Sequence, residues 1–268
     1  MQEEQIEPSY PLGKRMPGRQ LLDPGSWPGL IMGRPLLPAI VVLALLFVVL
    51  TALVLRADLQ PTPWDRVLTH EMQELPSFPA GTILVAVSWI GFAPWNWLLG
   101  LAILLFMATR RWYAEALFTS IAAAGGLAAE IIKNLIDRPR PTPDLAQVTT
   151  ILHSYSFPSG HVTSYATFFG FLFYLTFTSL PRRSPYRFLL LSLFGLLILL
   201  VGPSRVYMGQ HWASDALAGY ALGFAYLLGV VEAYRAWTKA HSGAPPTPPT
   251  QGQVQQITPE PETQVKQT

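Results

Sequence analysis

Three short blocks in the second half of the chain combine the residue types that break a phosphate ester. They are Lys133-x6-Arg140-Pro141, Pro158-Ser159-Gly160-His161 and Ser204-Arg205-x5-His211-x3-Asp215. The three cations suit phosphoryl oxygens, one imidazole suits nucleophilic attack, and a second imidazole suits protonation of the leaving group. The blocks therefore predict phosphoryl chemistry that requires no metal ion and no cofactor.

His211 and Asp215 are four residues apart. On a helix, their side chains would share a face, and the carboxylate would accept a hydrogen bond from one imidazole nitrogen. The other nitrogen would then be free as a nucleophile. Glu130 precedes Lys133 by three residues, and this spacing indicates a local ion pair or a contact with water. Arg138 does not match the six-residue spacing from Lys133, so we interpret it as a loop residue with at most an auxiliary contact to a headgroup.

Composition indicates where this chemistry takes place. The chain has 268 residues, of which 13% are charged and 50% hydrophobic. The segment Pro35–Leu55 has no charge and is long enough to cross a bilayer as a helix. Five further spans are predicted over about Ile90–Thr109, Trp112–Leu135, Val162–Leu180, Phe188–Gly202 and Ala213–Arg235, with an interfacial helix at Ser77–Trp89. The expected fold is an all-α, polytopic membrane protein with a six-helix bundle.

The two ends of the chain differ from this central part. Residues 1–33 mix Pro, Gly, Glu and Lys without periodicity, and residues 241–268 are rich in Pro, Thr and Gln. Such segments bury too little apolar surface to fold alone, so both are predicted to be disordered tails. Residues 34–240 form the expected membrane domain. The chain has no cysteine, which excludes disulfides and thiol catalysis.

The distribution of lysines and arginines predicts an orientation. With a cytoplasmic N-terminus, twelve of the 18 basic residues fall on the inner side. Of the six on the outer side, three belong to the blocks: Lys133, Arg140 and Arg205. We therefore expect both termini in the cytoplasm, a location in the plasma membrane, and all three blocks at the extracytoplasmic face.

The spacing of the blocks resembles that of the type 2 phosphatidic acid phosphatase superfamily, and the resemblance covers about Trp112–Tyr234. It implies that phosphate is bound by Lys133, Arg140, Arg205, Ser159 and the backbone of Gly160. It also implies that His211 is the nucleophile, that Asp215 orients it, and that His161 is the proton donor.

Two other classes remain open at this point. Vanadium haloperoxidases share the pocket in this resemblance, although they are soluble proteins, and a non-catalytic lipid-binding or transport protein would also span the membrane. A site at the membrane edge suits a lipid phosphate such as phosphatidate or phosphatidylglycerol phosphate, or a polyprenyl diphosphate such as undecaprenyl diphosphate. The expected partners are that substrate and the bilayer, without nucleic acid.

Overall fold

The computed structural model describes residues 35–241, and within this range it contains helices and no strands. The predicted all-α class is confirmed. The α-helices are α1 (Leu37–Arg56), α2 (Pro63–Gln73), α3 (Thr82–Ile90), α4 (Trp95–Thr109), α5 (Tyr113–Ala123), α6 (Gly125–Ile136), α7 (Gly160–Ser179), α8 (Pro185–Tyr207) and α9 (Ala213–His241). A single irregular turn, Ser77–Gly81, leads into α3.

Four helical segments in the described part of the chain have the length and composition of membrane spans. They are α1, α5 continued by α6, α8 and α9. A fifth exists if Ser77–Ile90 and α4 are taken as one span bent by 61°. The remaining predicted span corresponds to α7, which is 20 residues long but does not belong to this set. The count of six spans therefore stays a prediction.

Helix α7 has a lower hydropathy than the helices that qualify as membrane spans, and its surroundings explain the difference. Residues on several of its faces are buried, among them Val162, Thr163, Thr167 and Phe171. A helix that packs mainly against other helices needs little lipid-compatible surface, and small hydroxyl residues allow close approach. The helix lies at the centre of the bundle. Its first turn is therefore close to the other two motif blocks.

Helix α2 is an element that the sequence reasoning missed. It begins with a capping box in which the Thr62 side chain accepts from the backbone N–H of Asp65, and the Asp65 side chain accepts from the backbone N–H of Thr62. Pro63 occupies the first helical turn, where a missing N–H costs nothing. The helix fixes the position of Asp65, whose side chain is fully buried.

The segment predicted as an interfacial helix packs against the bundle. In α3 the side chains of Leu84, Val87 and Ser88 are buried. The Tyr165 hydroxyl of α7 donates to the carbonyl of Val87 at 2.5 Å, and the Ser204 hydroxyl of α8 donates to that of Leu84 at 2.5 Å. These contacts hold α3 and the break at Gly91–Pro94 beside the two helices that carry motif residues.

Helix α8 passes through Pro203 without ending. Proline has no N–H to donate to the carbonyl four residues earlier, here that of Leu199. The Tyr220 hydroxyl of α9 lies 3.2 Å from the Leu199 carbonyl oxygen and 2.6 Å from that of Ile198. This contact stabilises the last turn of α8, which carries Ser204 and Arg205.

The described helices up to Ala233 belong to one compact unit, and a second unit begins at Tyr234. Of the second unit, the structure describes the end of α9, up to His241. The predicted disordered tails lie outside the described residues, apart from His241 itself.

Candidate active site

The three motif blocks meet at one end of the helices that carry them. Lys133 lies in the last turn of α6, and Arg140 follows in the loop. Ser159 precedes the first residue of α7, Gly160. Arg205 lies in the last turn of α8, and Asp215 in the first turn of α9. Residues that are far apart in sequence are thus brought together, as the motif predicts.

Lys133 is nearly buried, with 5% of its surface exposed. Its Nζ donates to Glu130 Oε1 at 2.6 Å, so of the two expected alternatives the structure contains the ion pair. A Cβ atom built on Gly160 would lie 3.2 Å from Lys133 Nζ and 2.8 Å from Glu130 Oε1. The absence of a side chain at Gly160 therefore lets the start of α7 approach the ammonium group closely.

Arg140 is held by backbone carbonyls of the surrounding loops. Its guanidinium donates to Ser154 O at 2.7 Å and to Gln210 O at 2.6 Å. The Nη1 atom also lies 3.1 Å from Nε2 of His211. Burial lowers the pKa of Arg140, but that of a guanidinium is so high that it remains a cation at neutral pH. Arg140 therefore presents a fixed positive charge beside His211.

Arg205 is fully buried and contacts α3. Its Nη1 donates to the Ser88 hydroxyl at 3.1 Å, and its guanidinium carbon lies 5.1 Å from the centroid of the Phe92 ring. The hydroxyl oxygens of Ser88 and Ser204 lie 2.8 Å apart. A buried cation with few protein acceptors is electrostatically unsatisfied, so this arrangement favours an anionic ligand.

His211 is buried in the turn between α8 and α9, because α9 begins at Ala213. The expectation that His211 and Asp215 share a helical face is therefore wrong, since only Asp215 is helical. The pair still meets: His211 Nδ1 lies 3.6 Å from Asp215 Oδ2, which is beyond hydrogen-bond length. Burial, followed by the charges of Arg140, Arg205 and Lys133, holds the pKa of His211 well below its usual value.

Asp215 is bound on every side by donors other than His211. It accepts from Arg138 Nη1 at 2.5 Å, from the backbone N–H of Trp212 at 2.9 Å, and from the Ser156 hydroxyl. The contact to Trp212 also caps the start of α9. Arg138 lies in the loop after α6, as interpreted from the sequence, but the expected auxiliary contact to a headgroup is wrong, because its side chain is fully buried. Three-dimensional pairing across the bundle, and not motif spacing, determines its position.

His161, in the first turn of α7, packs against the break between α3 and α4. Its ring centroid lies 4.8 Å from that of Phe92, in an edge-to-face arrangement. A Cβ built on Gly91 would lie 2.6 Å from His161 Cδ2. The sequence reasoning did not assign Ser88, Gly91 or Phe92 to the site. The cluster of Gly91 and Pro94 signalled a break in the helix, but not its contact with His161.

Several buried polar atoms of the motif residues have no hydrogen-bond partner. They are Ser159 Oγ, His161 Nε2, Arg205 Nε and His211 Nδ1. The Ser159 hydroxyl precedes α7 but does not cap it. Buried polar atoms are nearly always hydrogen-bonded, so unpartnered ones clustered among cations indicate a ligand-binding site. Within the described residues, no group of three or more His, Asp or Glu side chains is arranged to hold a metal ion.

A helical bundle of membrane type that gathers three cations and two imidazoles at one end has the features of a membrane phosphatase. Sequence and structure comparisons agree with that class. The sequence profile of the PAP2 superfamily matches residues 112–239. Lipid A 1-phosphatase of Rhizobium johnstonii is 30% identical over 214 residues, which cover 70% of this chain and 80% of that protein. The chain belongs to the PAP2 superfamily.

Two further similarities come from Bacillus subtilis. Phosphatidylglycerophosphatase B is 36% identical over 96 residues, which are 35% of this chain but only 45% of that relative. The crystal structure of a transmembrane PAP2 type phosphatidylglycerolphosphate phosphatase superposes with a TM-score of 0.61 at 22% identity. It covers 75% of this chain and 96% of the other. The fold is therefore shared, and the comparisons support the predicted enzyme class, a phosphoric monoester hydrolase.

Proposed function

We propose that this protein hydrolyses a membrane lipid phosphate or a polyprenyl diphosphate through a phosphohistidine intermediate, without a metal ion. The observation that carries the proposal is the set of unpartnered polar atoms on Ser159, His161 and Arg205 within a cluster of cations. Phosphoryl transfer spreads negative charge over the equatorial oxygens, so fixed cations and N–H groups stabilise the transition state.

The proposed first step is in-line attack by Nε2 of His211 on phosphorus. This atom lies 3.1 Å from Arg140 Nη1, so a phosphoryl group in contact with Arg140 is within reach of the imidazole. The low pKa of His211 keeps the ring neutral, and therefore nucleophilic, at neutral pH. As the N–P bond forms, the ester P–O bond breaks, and His161 gives its proton to the departing oxygen.

The proposed second step returns the enzyme to its starting state. His161, now neutral, takes a proton from a water molecule as that water attacks phosphorus and the N–P bond breaks. The products are the dephosphorylated lipid and inorganic phosphate. Lys133, Arg140 and Arg205, with the Ser159 hydroxyl and the Gly160 backbone, bind the phosphoryl oxygens in both steps.

The substrate class follows from the relatives and from the membrane setting. The named relatives are a phosphatidylglycerophosphatase and lipid A phosphatases, all of which take their names from phosphorylated lipids. We propose that residues 34–240 are the catalytic membrane domain and that the site faces the extracytoplasmic side of the plasma membrane. Twelve of the 18 basic residues then lie on the cytoplasmic side.

The test uses the full-length protein, purified in detergent, with a panel of substrates. The panel contains phosphatidylglycerol phosphate, phosphatidate, lipid A 1-phosphate and undecaprenyl diphosphate, and the readout is phosphate release in excess chelator. The proposal predicts release from at least one lipid, inhibition by vanadate, and no release by His211→Ala. Loss of activity in chelator with recovery on adding magnesium would contradict the mechanism.

A further inference from the structure

We propose that Asp65 and Arg138 are positioning residues for the nucleophile, acting through Asp215. The carboxylate of Asp65, the guanidinium of Arg138 and the carboxylate of Asp215 form a continuous, buried hydrogen-bond network, which we call the carboxylate triad. All three residues are fully buried. Asp65 lies outside the motif blocks, and Arg138 occupies one of the six unspecified positions between Lys133 and Arg140. The inference rests on the proposed reaction of His211.

Arg138 is the centre of the carboxylate triad. Its Nη1 donates to Asp215 Oδ1 at 2.5 Å, and its Nη2 donates to Asp65 Oδ2 at 2.9 Å. Further contacts join it to Ser214 Oγ at 2.6 Å and, at 3.3 Å, to the carbonyl oxygens of Leu59 and Gln60. The five N–H donors of a planar guanidinium allow Arg138 to bridge two carboxylates and to satisfy three further oxygen atoms.

Asp65 contacts both Arg138 and the residue that precedes Asp215. Its Oδ1 accepts from the backbone N–H of Ser214 at 2.8 Å, and its Oδ2 accepts from the Ser214 hydroxyl at 3.0 Å. Ser214 is the neighbour of Asp215 at the start of α9. Asp65 of helix α2 therefore positions Asp215 through two sets of contacts. One runs through Arg138, and the other through Ser214 in the first turn of α9.

The charges of the triad explain why two carboxylates are present. Arg138 alone would neutralise Asp215, and the dyad would have no net charge. With Asp65 the triad keeps one negative charge, and Asp215 Oδ2 lies 3.6 Å from His211 Nδ1. When Nε2 attacks phosphorus, positive charge develops on the imidazole ring, and the negative triad stabilises it. The charged groups that face His211 on its other sides are the cations Lys133, Arg140 and Arg205, with His161 as a further titratable neighbour.

The primary test is Asp65→Asn, which keeps the shape of the side chain and removes its charge. The triad then has no net charge, so the imidazolium form of His211 loses stabilisation. The acidic limb of the kcat/KM profile should move to lower pH, by roughly half to one unit. We expect kcat to fall about tenfold with KM changed less than about twofold, because the missing interaction acts mainly in the transition state.

Thr62→Ala is the matched control for this variant. Thr62 shares the capping box of α2 with Asp65, and its hydroxyl also donates to Asp65 Oδ2 at 2.9 Å. Its replacement therefore weakens the helix start and removes one neutral hydrogen bond, but leaves the charge of the triad unchanged. Its acidic limb should coincide with that of the wild type. If Thr62→Ala shifts the acidic limb of kcat/KM as much as Asp65→Asn does, the proposal is overturned, because the shift would then reflect the stability of helix α2.

A second pair of variants keeps the proposal testable if single changes disturb folding. Arg138→Met leaves two buried carboxylates facing each other without a cation, which is strongly unfavourable. Adding Asp65→Asn removes one of them and returns the net charge to that of the wild type. The double variant should therefore be more active, by about tenfold, than Arg138→Met alone.

The outcomes separate this inference from the proposed function. If the wild-type protein hydrolyses no lipid phosphate, the proposed function fails. Two outcomes with an active wild-type protein would refute only the role of the triad. One is an acidic limb of kcat/KM that does not move in Asp65→Asn, and the other is a double variant in which the activity losses of Asp65→Asn and Arg138→Met simply add.

Discussion

Gly91→Ala tests how the break between α3 and α4 positions the proton donor. The new Cβ would lie 2.6 Å from His161 Cδ2, 2.8 Å from Tyr165 Cε2 and 3.0 Å from His161 Nε2. Ordinary contact begins at 3.4 Å, so the imidazole or the backbone of Gly91 must move by about 0.8 Å. The backbone of Gly91, with φ of −84°, is accessible to alanine, so the perturbation is purely steric.

A displacement near 1 Å at a catalytic group costs up to about a hundredfold in rate. We expect kcat of Gly91→Ala on a lipid monophosphate to fall between about tenfold and a hundredfold. An aryl phosphate releases a phenolate that needs little protonation, so its rate of enzyme phosphorylation should fall much less. Overpacking should also lower the free energy of unfolding by about 1–3 kcal/mol.

Gly100→Ala in α4 is the matched control, because a Cβ at this position meets no atom within 4 Å. The assay compares single-turnover phosphorylation by the lipid ester and by the aryl ester in both variants. If the phosphorylation rate of folded Gly91→Ala falls equally with the two esters, or with neither, the contact between Gly91 and His161 does not determine proton donation.

Three further predictions concern other parts of the site. Because burial and nearby cations hold the pKa of His211 well below 6.5, the acidic limb of kcat/KM, which reports protonation of the nucleophile, should lie below pH 6.5; an acidic limb above pH 6.5 would contradict this. His161→Ala should lose about a hundred- to ten-thousand-fold with a lipid monophosphate and retain a burst with an aryl phosphate, and equal inactivity toward both esters would refute its role as the acid. A cysteine at the exposed Gln147, in a chain without native cysteines, should react with an impermeant thiol reagent from outside intact cells. Labelling that requires permeabilisation would contradict the proposed topology.

The motif blocks and their meeting at one end of the bundle could be predicted from the sequence alone. Local spacing sets the position of His161 at the start of a helix and of Lys133 near the end of another. Glu130 and Lys133 pair as their separation of three residues predicts, since they lie on the same face of α6.

The carboxylate triad could not be predicted in this way. Asp65 and Arg138 are 73 residues apart in sequence, and Arg138 and Asp215 are 77 apart, so no periodicity connects them. One local signal was available: Thr62 followed three residues later by Asp65, with Pro63 between them, is the signature of a helix start. It predicts α2 but not the partner of Asp65.

The span count shows the limit of hydropathy as a guide. Hydropathy measures how well a segment suits lipid, whereas α7 is surrounded largely by protein and carries Thr163, Thr167 and Thr176 at buried positions. The same reasoning applies to α3, which was expected at the interface and packs against α7 and α8. Long uncharged segments predict membrane insertion reliably, but the partners of each helix depend on the folded bundle.

Direct detection of a phosphorylated His211 tests the central proposal. The full-length His161→Ala variant is mixed with a labelled aryl phosphate, quenched within seconds in alkali, and digested for mass spectrometry. Without the base for the second step, the intermediate should accumulate, and one acid-labile, alkali-stable phosphate should be found on His211. The absence of label at His211, while the wild-type protein turns over the same ester, would contradict the proposed mechanism.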